Sequence, residues 1–177
     1  MLPKGLDRAG SVKVPLRSGT PVELPLFKTT LDRWNEPLQK DFFNWGGKPI
    51  INCNGVPLFA ELALLKQFLA SGFEGVWVET FGGPNFLTAM PGAWQVRPWS
   101  ITIPEDKHDL LRSIWRTARS QACFDLYLWR GPDILFCETK RKGESLTRDQ
   151  PKFVEGALQS GFKEEQLIVL QWTWGSP

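Results

Sequence analysis

The sequence of 177 residues contains only three cysteines, one histidine and one tyrosine. Three cysteines are too few for a disulfide framework, and their odd number also disfavours one, so we expect a reducing compartment such as the cytoplasm. No apolar run approaches the ~20 residues of a membrane helix, and residues 1–5 lack the apolar core of a signal peptide. The expectation is therefore a chain that does not associate with membranes.

Excess charge is also nearly absent, because 21 Lys and Arg residues stand against 19 Asp and Glu residues, for a formal net charge of +2. The hydrophobic fraction of 42% and the charged fraction of 23% are ordinary for globular chains. These values exclude the collagen-like, coiled-coil and wholly disordered classes. The overall field is weak, so any binding to nucleic acid would depend on local basic patches.

The length predicts one domain, or one domain with an arm. Residues 1–50 carry scattered Pro and Gly and are predicted to form a partly extended N-terminal arm, with one short helix at 30–45. Residues 51–177 are predicted to form the compact domain. Within it, residues 82–121 are an insertion: a Gly- and Pro-rich loop at 82–104, with a short strand at 99–103, followed by a helix at 105–120.

Hydrophobic periodicity predicts the other elements of the compact domain. Helices are expected at 57–71 and 148–160, and strands at 75–81, 123–129, 134–140 and 166–173. The resulting order, αβ(α)ββαβ, predicts an α/β or α+β fold with a central mixed sheet of about four strands flanked by helices.

The hairpin at 123–140 carries the most informative polar residues. If residues 130–133 form its turn, residues whose numbers sum to 263 oppose each other, and Asp125 then opposes Glu138. Lys140 projects from the same face of the sheet. The opposite face is apolar and is predicted to belong to a core: it carries Phe124, Leu126, Leu128, Leu135 and Cys137.

Directly opposed side chains have Cβ atoms about 4.5–5.5 Å apart, a distance at which two carboxylates repel each other. Such a pair needs a cation or a shared proton. One interpretation is an Asp and a Glu on a solvated face, neutralised by Lys140. The other is a Mg²⁺ site, because Mg²⁺ takes one or two carboxylates and keeps several waters.

Two residues on neighbouring helices each allow a structural and a functional interpretation. Glu61 lies at the flank of the leucine stripe of helix 57–71, where it either reaches for water or faces the acidic pair. Gln150 fits a capping box with Thr147 at the N-cap. Pro151 disfavours helical dihedrals at Gln150, so the helix could instead begin at Pro151.

Basic residues cluster in two places. Arg141, Lys142, Arg148 and Lys152 accompany Lys140 within residues 138–152, which hold five basic and three acidic groups. On helix 105–120, Arg112, Arg116 and Arg119 share one face with His108. This face is either solvated or follows the phosphates of a nucleic acid.

Asp125 followed by Glu138-Thr139-Lys140 resembles the PD-(D/E)XK nuclease superfamily, in which an Asp and a Glu-x-Lys lie on one hairpin. The following Leu146-Thr147-x-x-Gln150, with Phe153, Leu158 and Gly161, resembles its virus-type replication-repair (VRR-NUC) branch. The resemblance covers roughly residues 55–173 in element order and 123–161 in residue detail. Departures are Phe124 before the Asp, Pro151 after the Gln, and the enlarged insertion at 82–121.

The resemblance implies a restriction-endonuclease-like core and a Mg²⁺- or Mn²⁺-dependent endonuclease that hydrolyses phosphodiesters of DNA, often branched, flapped or junction DNA. Asp125, Glu138 and the main-chain carbonyl of Thr139 would bind the metal, with Glu61 as the outer carboxylate. Lys140 would orient or activate the attacking water, and Gln150 would position Lys140 or the scissile phosphate. The basic residues of both clusters would hold the DNA backbone.

Three questions remain open at this stage. The chain could be a non-catalytic domain with a nuclease-like fold that binds nucleic acid or protein, or it could act on RNA. Trp94 and Trp99 in the loop could stack on unpaired bases or anchor a small core. The resemblance also leaves open whether the chain acts as a homodimer.

Overall fold

The computed structural model describes residues 2–40, 42–44, 47–80, 83–93 and 97–175. Two long strands come first, β1 (Asp7–Val14) and β2 (Val22–Leu31), and a small hairpin follows, β3 (Ile51–Cys53) and β4 (Val56–Leu58). Its two-residue turn, Asn54-Gly55, has positive φ at both positions (53° and 81°), which is the backbone that an Asn-Gly hairpin turn requires.

The compact region continues with helix α1 (Ala60–Ala70), strand β5 (Glu74–Glu79), the short strand β6 (Asn85–Leu87), a 3₁₀ turn (Arg97–Trp99) and helix α2 (Glu105–Ala118). The hairpin β7 (Leu126–Arg130) and β8 (Asp133–Arg141), helix α3 (Gln150–Gln159), a 3₁₀ turn (Glu164–Gln166) and β9 (Leu167–Trp174) complete the fold. Pro151 lies in the first turn of α3, where its missing N–H leaves no intrahelical bond unmade.

One mixed sheet of seven strands organises the described residues, in the order β1-β2-β9-β8-β7-β5-β6. Strand β9 runs parallel to both β2 and β8, and the other neighbours are antiparallel. The sheet is larger than the predicted four strands, because β1 and β2 from the expected arm and β6 from the insertion extend it at both edges.

Apolar cores cover both faces of the sheet, so β8 is buried continuously from Ile134 to Thr139. One core joins α1 to alternate residues of the central strands, including Leu126 and Cys137. The other joins α2 and α3 to the intervening residues, including Tyr127 and Phe136. Burial of a strand on both faces is typical of a sheet sandwiched between helices.

The hairpin register is confirmed, because Tyr127 pairs with Phe136 and Trp129 with Ile134. The predicted face of Phe124 is wrong: Phe124 packs in the core beneath α3, where its ring lies 5.3 Å from that of Phe153. The reason is that β7 begins only at Leu126, so strict alternation does not extend back to residue 124.

Two further predictions of secondary structure are wrong. Among the described residues of 30–45, none is helical; strand β2 continues to Leu31, and Arg33 forms an isolated bridge with Ile51. The expected strand at 99–103 is absent, although Ile101 N donates a 2.8 Å hydrogen bond to Phe86 O.

The helices in the described part of the chain are short, and none combines the length and the apolar character that crossing a bilayer demands. The three cysteines are free. Cys123 and Cys137 lie in different cores.

Candidate active site

Glu138 is the most deeply buried acid of the predicted site, with 1% of its surface exposed in the middle of β8. One carboxylate oxygen, Oε1, is fully engaged: Lys140 Nζ lies 2.8 Å from it, and Gln150 Nε2 donates a hydrogen bond to it. The Lys140 side chain is itself only 11% exposed. Strand β8 and helix α3 therefore hold the carboxylate from two directions.

The second oxygen of the same carboxylate, Glu138 Oε2, is buried and receives no hydrogen bond from any described residue. Burial raises the pKa of Glu138 well above its usual range, and the negative charge of Asp125 raises it further, against the opposing effect of Lys140. An anionic oxygen left without a donor in a buried site carries a large desolvation cost. A proton or a metal ion bound to this oxygen would offset that cost.

Asp125 stands immediately before β7, where the backbone is still tied to the sheet because Val78 N donates to Asp125 O at 2.7 Å. Its Oδ2 accepts hydrogen bonds from the main-chain N (2.8 Å) and the Oγ1 (2.6 Å) of Thr139. Burial raises the pKa of Asp125, and the Glu61 charge adds to the effect. The two acids of the hairpin are therefore adjacent and electrostatically coupled, and Glu61 lies close to them.

Glu61 lies in the first turn of α1 and is held by a residue from outside the predicted site. Lys48 Nζ lies 2.6 Å from Glu61 Oε1 and also lies over the rings of Phe59 (5.3 Å) and Trp77 (5.2 Å). A cation over two aromatic faces is held in place by both rings as well as by the carboxylate. Glu61 is thus near the acidic pair but is paired with Lys48.

Two adjoining cavities expose these groups to solvent. One, of about 230 Å³, is lined by Glu61, Asp125, Glu138, Thr139 and Lys140, among others. The other, of about 420 Å³, shares Lys48, Glu61, Asp125 and Gln150 with the first. Together they form a cleft with Asp125 at the junction.

The donor set fits a hard divalent cation. Asp125 and Glu138 supply two adjacent carboxylates, Glu138 Oε2 lacks a donor, and Thr139 lies between them on the cavity wall. Within the described ranges, no group of three or more His, Cys, Asp or Glu side chains is placed to hold a metal ion. Two carboxylates with waters are sufficient for Mg²⁺, whereas sites built from soft ligands need more protein donors.

Gln150 is the first residue of α3 and combines the two interpretations that the sequence left open. Its Oε1 accepts a 2.6 Å hydrogen bond from Thr147 N, which is the backbone half of a capping interaction, while its Nε2 donates to Glu138. Asp149, not Thr147, precedes the helix. The side chain therefore connects the loop before α3 to the buried acid.

The predicted basic residues separate into different surroundings. Arg148 lines a cavity next to Lys140, whereas Arg112, Arg116 and Arg119 line a separate depression beside α2, which shares Ser120 and Gln121 with the 420 Å³ cavity. The other three basic residues have local surroundings of their own. Lys142 is exposed, Arg141 lies over the ring of Trp174 (5.7 Å), and Lys152 pairs with Asp149.

Of the two loop tryptophans, Trp94 and Trp99, the structure describes only Trp99. Trp94 lies outside the described residues. Trp99 is 48% exposed, and a Cβ at Gly92 would come within 2.5 Å of its ring, so one face of the indole packs on the loop backbone. Part of the other surface is open to solvent.

Two residues that were not predicted for the site, Lys48 and Trp172, line the cleft with the predicted acids. Lys48 belongs to a segment without a periodic pattern, and only its charge distinguishes it. Trp172 lies on β9, where Arg141 of the neighbouring strand pairs with it. Neither position could be connected to the hairpin without knowledge of the sheet order.

No protein-family model, curated protein or solved structure matches the chain.

Proposed function

We propose that this protein is a Mg²⁺- or Mn²⁺-dependent nuclease with a restriction-endonuclease-like core, which hydrolyses phosphodiester bonds of DNA and prefers branched, flapped or junction structures. The observation that carries the proposal is the state of Glu138. One oxygen of this buried carboxylate is bound by Lys140 and Gln150, and the other, without a donor, faces a second carboxylate. A divalent ion would relieve that arrangement.

The residues of the chain have separable roles in this proposal. Asp125 and Glu138, with the Thr139 carbonyl, would hold the metal, and Glu61 would contribute an outer carboxylate. A bound Mg²⁺ or Mn²⁺ would lower the pKa of a coordinated water and offset the charge that develops on the phosphate. The donor set of two carboxylates and a main-chain carbonyl leaves positions for that water and for the substrate.

Lys140 would orient the attacking water at the mouth of the site. Its ammonium is held at Glu138 Oε1 and lines the cleft, so its other two N–H groups are available to a water or a phosphate oxygen. Gln150 would keep the Glu138 carboxylate in one orientation, which makes it a positioning residue. Fixed donors of this kind need no reorganisation when charge develops.

Basic side chains on both sides of the cleft support a polyanionic substrate. Arg148 stands near Lys140, and Arg112, Arg116 and Arg119 form an exposed group at the other end, beyond Ser120 and Gln121. Arg141, Lys142 and Lys152 add positive charge next to the cleft. The part of Trp99 that remains exposed could contact an unpaired base.

Two alternatives compete with this proposal. A non-catalytic domain that binds nucleic acid or protein has no use for a buried acid pair with a lysine and an amide on one oxygen, so the intact Asp125, Glu138 and Lys140 favour the enzyme. An RNA-directed nuclease would use the same site. Parallel RNA and DNA substrates decide between these two.

The test is cleavage of plasmid, linear duplex, flap and junction DNA, with a matched RNA, in Mg²⁺ or Mn²⁺ and in EDTA. We expect cleavage of DNA only with the divalent ion. Asp125→Ala and Lys140→Ala should abolish it while DNA binding and the folded state largely persist, which a cooperative thermal melt with a defined melting temperature (Tm) establishes. Asp133→Ala, which removes an exposed acid from the turn of the same hairpin, is the matched control and should remain active.

Full activity of the Asp125 or Lys140 variant would refute the catalytic assignment. Metal-dependent cleavage of RNA alone would change the substrate, and DNA binding with no cleavage under any of these conditions would favour the non-catalytic alternative.

A further inference from the structure

The cavity that Arg148 lines has a volume of about 670 Å³ and is separate from the two cavities of the acidic cleft. It lies next to the cleft and shares Lys140 and Glu144 with it. Its volume is within the ~300–1,000 Å³ of ligand-binding pockets. Its walls come from the turn after β1, strands β2 and β9, and the loop before α3. We propose that this cavity binds one unpaired nucleotide of the DNA strand that enters the active site, with the base inside and the phosphates at its rim.

The floor of the cavity continues directly from the buried acid. Glu138 on β8 pairs with Val169 on β9, which in turn pairs with Leu26 on β2. Residues paired in this way project to the same face, and neighbouring strands lie about 4.8 Å apart, so the apolar floor begins about 5 Å from Glu138 and extends to about 10 Å. A nucleotide in this cavity would adjoin a phosphate held at the metal site.

The walls are aliphatic. Leu16, from the turn after β1, and Leu146, from the loop before α3, are partly exposed and line the cavity together with Pro15 and Pro151. Such walls offer apolar surface to both faces of a flat base. The base pairs of a duplex are already stacked, whereas an unpaired base gains by leaving water, so the cavity favours single-stranded DNA.

The rim is positive. Lys13, Arg17 and Arg148 are exposed, and within the part of the chain that the structure describes none of them lies within 4.0 Å of a carboxylate oxygen. Asp149 is the acid nearby: the charges of Arg148 and Arg17 help to lower its pKa, and it is paired with Lys152. The rim includes one acid, Glu144, whose carboxylate accepts a hydrogen bond from Arg141 N. This charge suits the phosphates on either side of a nucleotide, whereas an uncharged apolar partner would gain nothing from it.

The wall that carries Arg17 is fixed to the rest of the fold. Ser18 N donates a 3.1 Å hydrogen bond to Glu155 on α3, and Gly19 N donates to Leu16 O at 3.1 Å. The turn after β1 is therefore held against the helix that also carries Gln150. The cavity is a preformed feature, so binding does not require the turn to become ordered.

This inference rests on the proposed function, because it takes DNA as the ligand. The test measures binding without cleavage, by fluorescence anisotropy in EDTA, of a DNA hairpin with a short single-stranded thymidylate tail, whose duplex end fixes the register on the protein, and of the same DNA with one abasic residue at each tail position in turn. For wild type we expect one position at which base removal weakens binding about tenfold, the effect of withdrawing roughly 55 Å² of apolar surface from water.

Leu16→Asn should bind the intact strand as weakly as wild type binds the abasic one, and should lose the position dependence. Arg17→Ala should reduce the slope of log K against log salt by about 0.7. Arg8→Ala removes the same charge from an exposed position on β1 that does not line the cavity, and should leave the slope unchanged. Melting temperatures establish that each variant is folded.

A flat abasic scan would overturn the proposal even if the protein cleaves DNA, and would favour a side chain of a protein partner as occupant. An undiminished position dependence in Leu16→Asn would also overturn it. Absence of both DNA binding and cleavage would refute this inference together with the proposed function, whereas DNA cleavage combined with a flat scan would refute this inference alone.

Discussion

Lys48 Nζ and Glu61 Oε1 are 2.6 Å apart, which ties the segment before β3 to the first turn of α1. The lysine faces the same cleft as Asp125. The two lysines therefore neutralise different acids, Lys48 the outer one and Lys140 the inner one.

We predict that Lys48→Met lowers the Tm of the metal-free protein by about 2–4 °C, which corresponds to about 1 kcal/mol for a chain of this size. The pair is partly exposed, so its loss costs less than that of a fully buried pair. Freed from Lys48, Glu61 becomes available to the metal site. Mn²⁺, titrated calorimetrically, should therefore bind the variant more tightly than it binds wild type.

Lys66→Met is the matched control. Lys66 is exposed on α1, the helix that carries Glu61, and has no ion-pair partner in the described ranges. It should change neither the Tm nor the affinity for Mn²⁺. Weaker Mn²⁺ binding by the Lys48 variant than by the control would contradict the outer-carboxylate role of Glu61.

Asp125→Asn should raise the Tm in EDTA. The amide oxygen can still accept the two hydrogen bonds from Thr139, the charge repulsion with Glu138 disappears, and the amide N–H₂ can donate to Glu138 Oε2. Removing the cost of one unsatisfied buried group is worth about 1–3 kcal/mol. Thermal melts followed by circular dichroism measure the change.

With saturating Mg²⁺ the order should reverse, because only wild type gains the stabilisation that comes from binding the ion. Asp133→Asn, at the exposed turn of the same hairpin, should behave like wild type in both conditions. A fall of the Tm for Asp125→Asn in EDTA would mean that the two carboxylates do not repel each other.

The core of the site could be predicted because hairpin register follows from local information. The turn at residues 131–132 and the alternation of β7 and β8 fix the pairs from Leu126–Cys137 to Arg130–Asp133. Asp125 stands one residue before β7, outside these pairs, and two hydrogen bonds from Thr139 hold its carboxylate. Helices α1 and α3 were also predictable from periodicity, which is why Glu61 and Gln150 were candidates. The hydrogen bond of Gln150 to Glu138, 12 residues away, was not predicted, because the resemblance implied that Gln150 positions Lys140 or the scissile phosphate.

Long-range pairing could not be predicted in this way. The parallel contact of β2 with β9 joins residues more than 140 positions apart, and it converts the expected arm into the edge of a seven-stranded sheet. Nothing in the sequence near Lys48 indicates that it meets Glu61. A lysine in a loop is ordinarily solvated, and only the tertiary structure places this one over Phe59 and Trp77.

The raised pKa of Glu138 makes metal-free stability depend on pH. The unfolded state releases this proton near pH 4.3, whereas the folded state retains it to a higher pH, because burial and Asp125 disfavour the charged form. In that interval the folded state binds more protons, so the free energy of unfolding falls as the pH rises. It becomes level above the folded-state pKa of Glu138.

Denaturant unfolding in EDTA across pH 4 to 9 measures this slope. Glu138→Gln cannot release a proton at this position, so its curve should decline less than that of wild type, and the remaining decline comes from Asp125, whose pKa burial also raises. Glu144→Gln, an exposed acid after the same strand, should reproduce the wild-type curve. A Glu138→Gln curve with the same slope as wild type would show that another group carries the dependence.

Gln150→Leu should impair cleavage through the orientation of Glu138. The variant removes one donor from Glu138 Oε1 and the acceptor for Thr147 N, so we expect a loss of about 1–3 kcal/mol in stability. A donor to the charged form lowers the pKa of a carboxylate, so without it Glu138 should ionise at a higher pH. The acid limb of the pH profile for kcat should therefore move to higher pH, with little change in KM.

Gln159→Leu, exposed at the last position of the same helix, should leave both the profile and the Tm unchanged. If Gln150→Leu lowers the Tm but keeps the wild-type pH profile, Gln150 serves only to hold α3 in place.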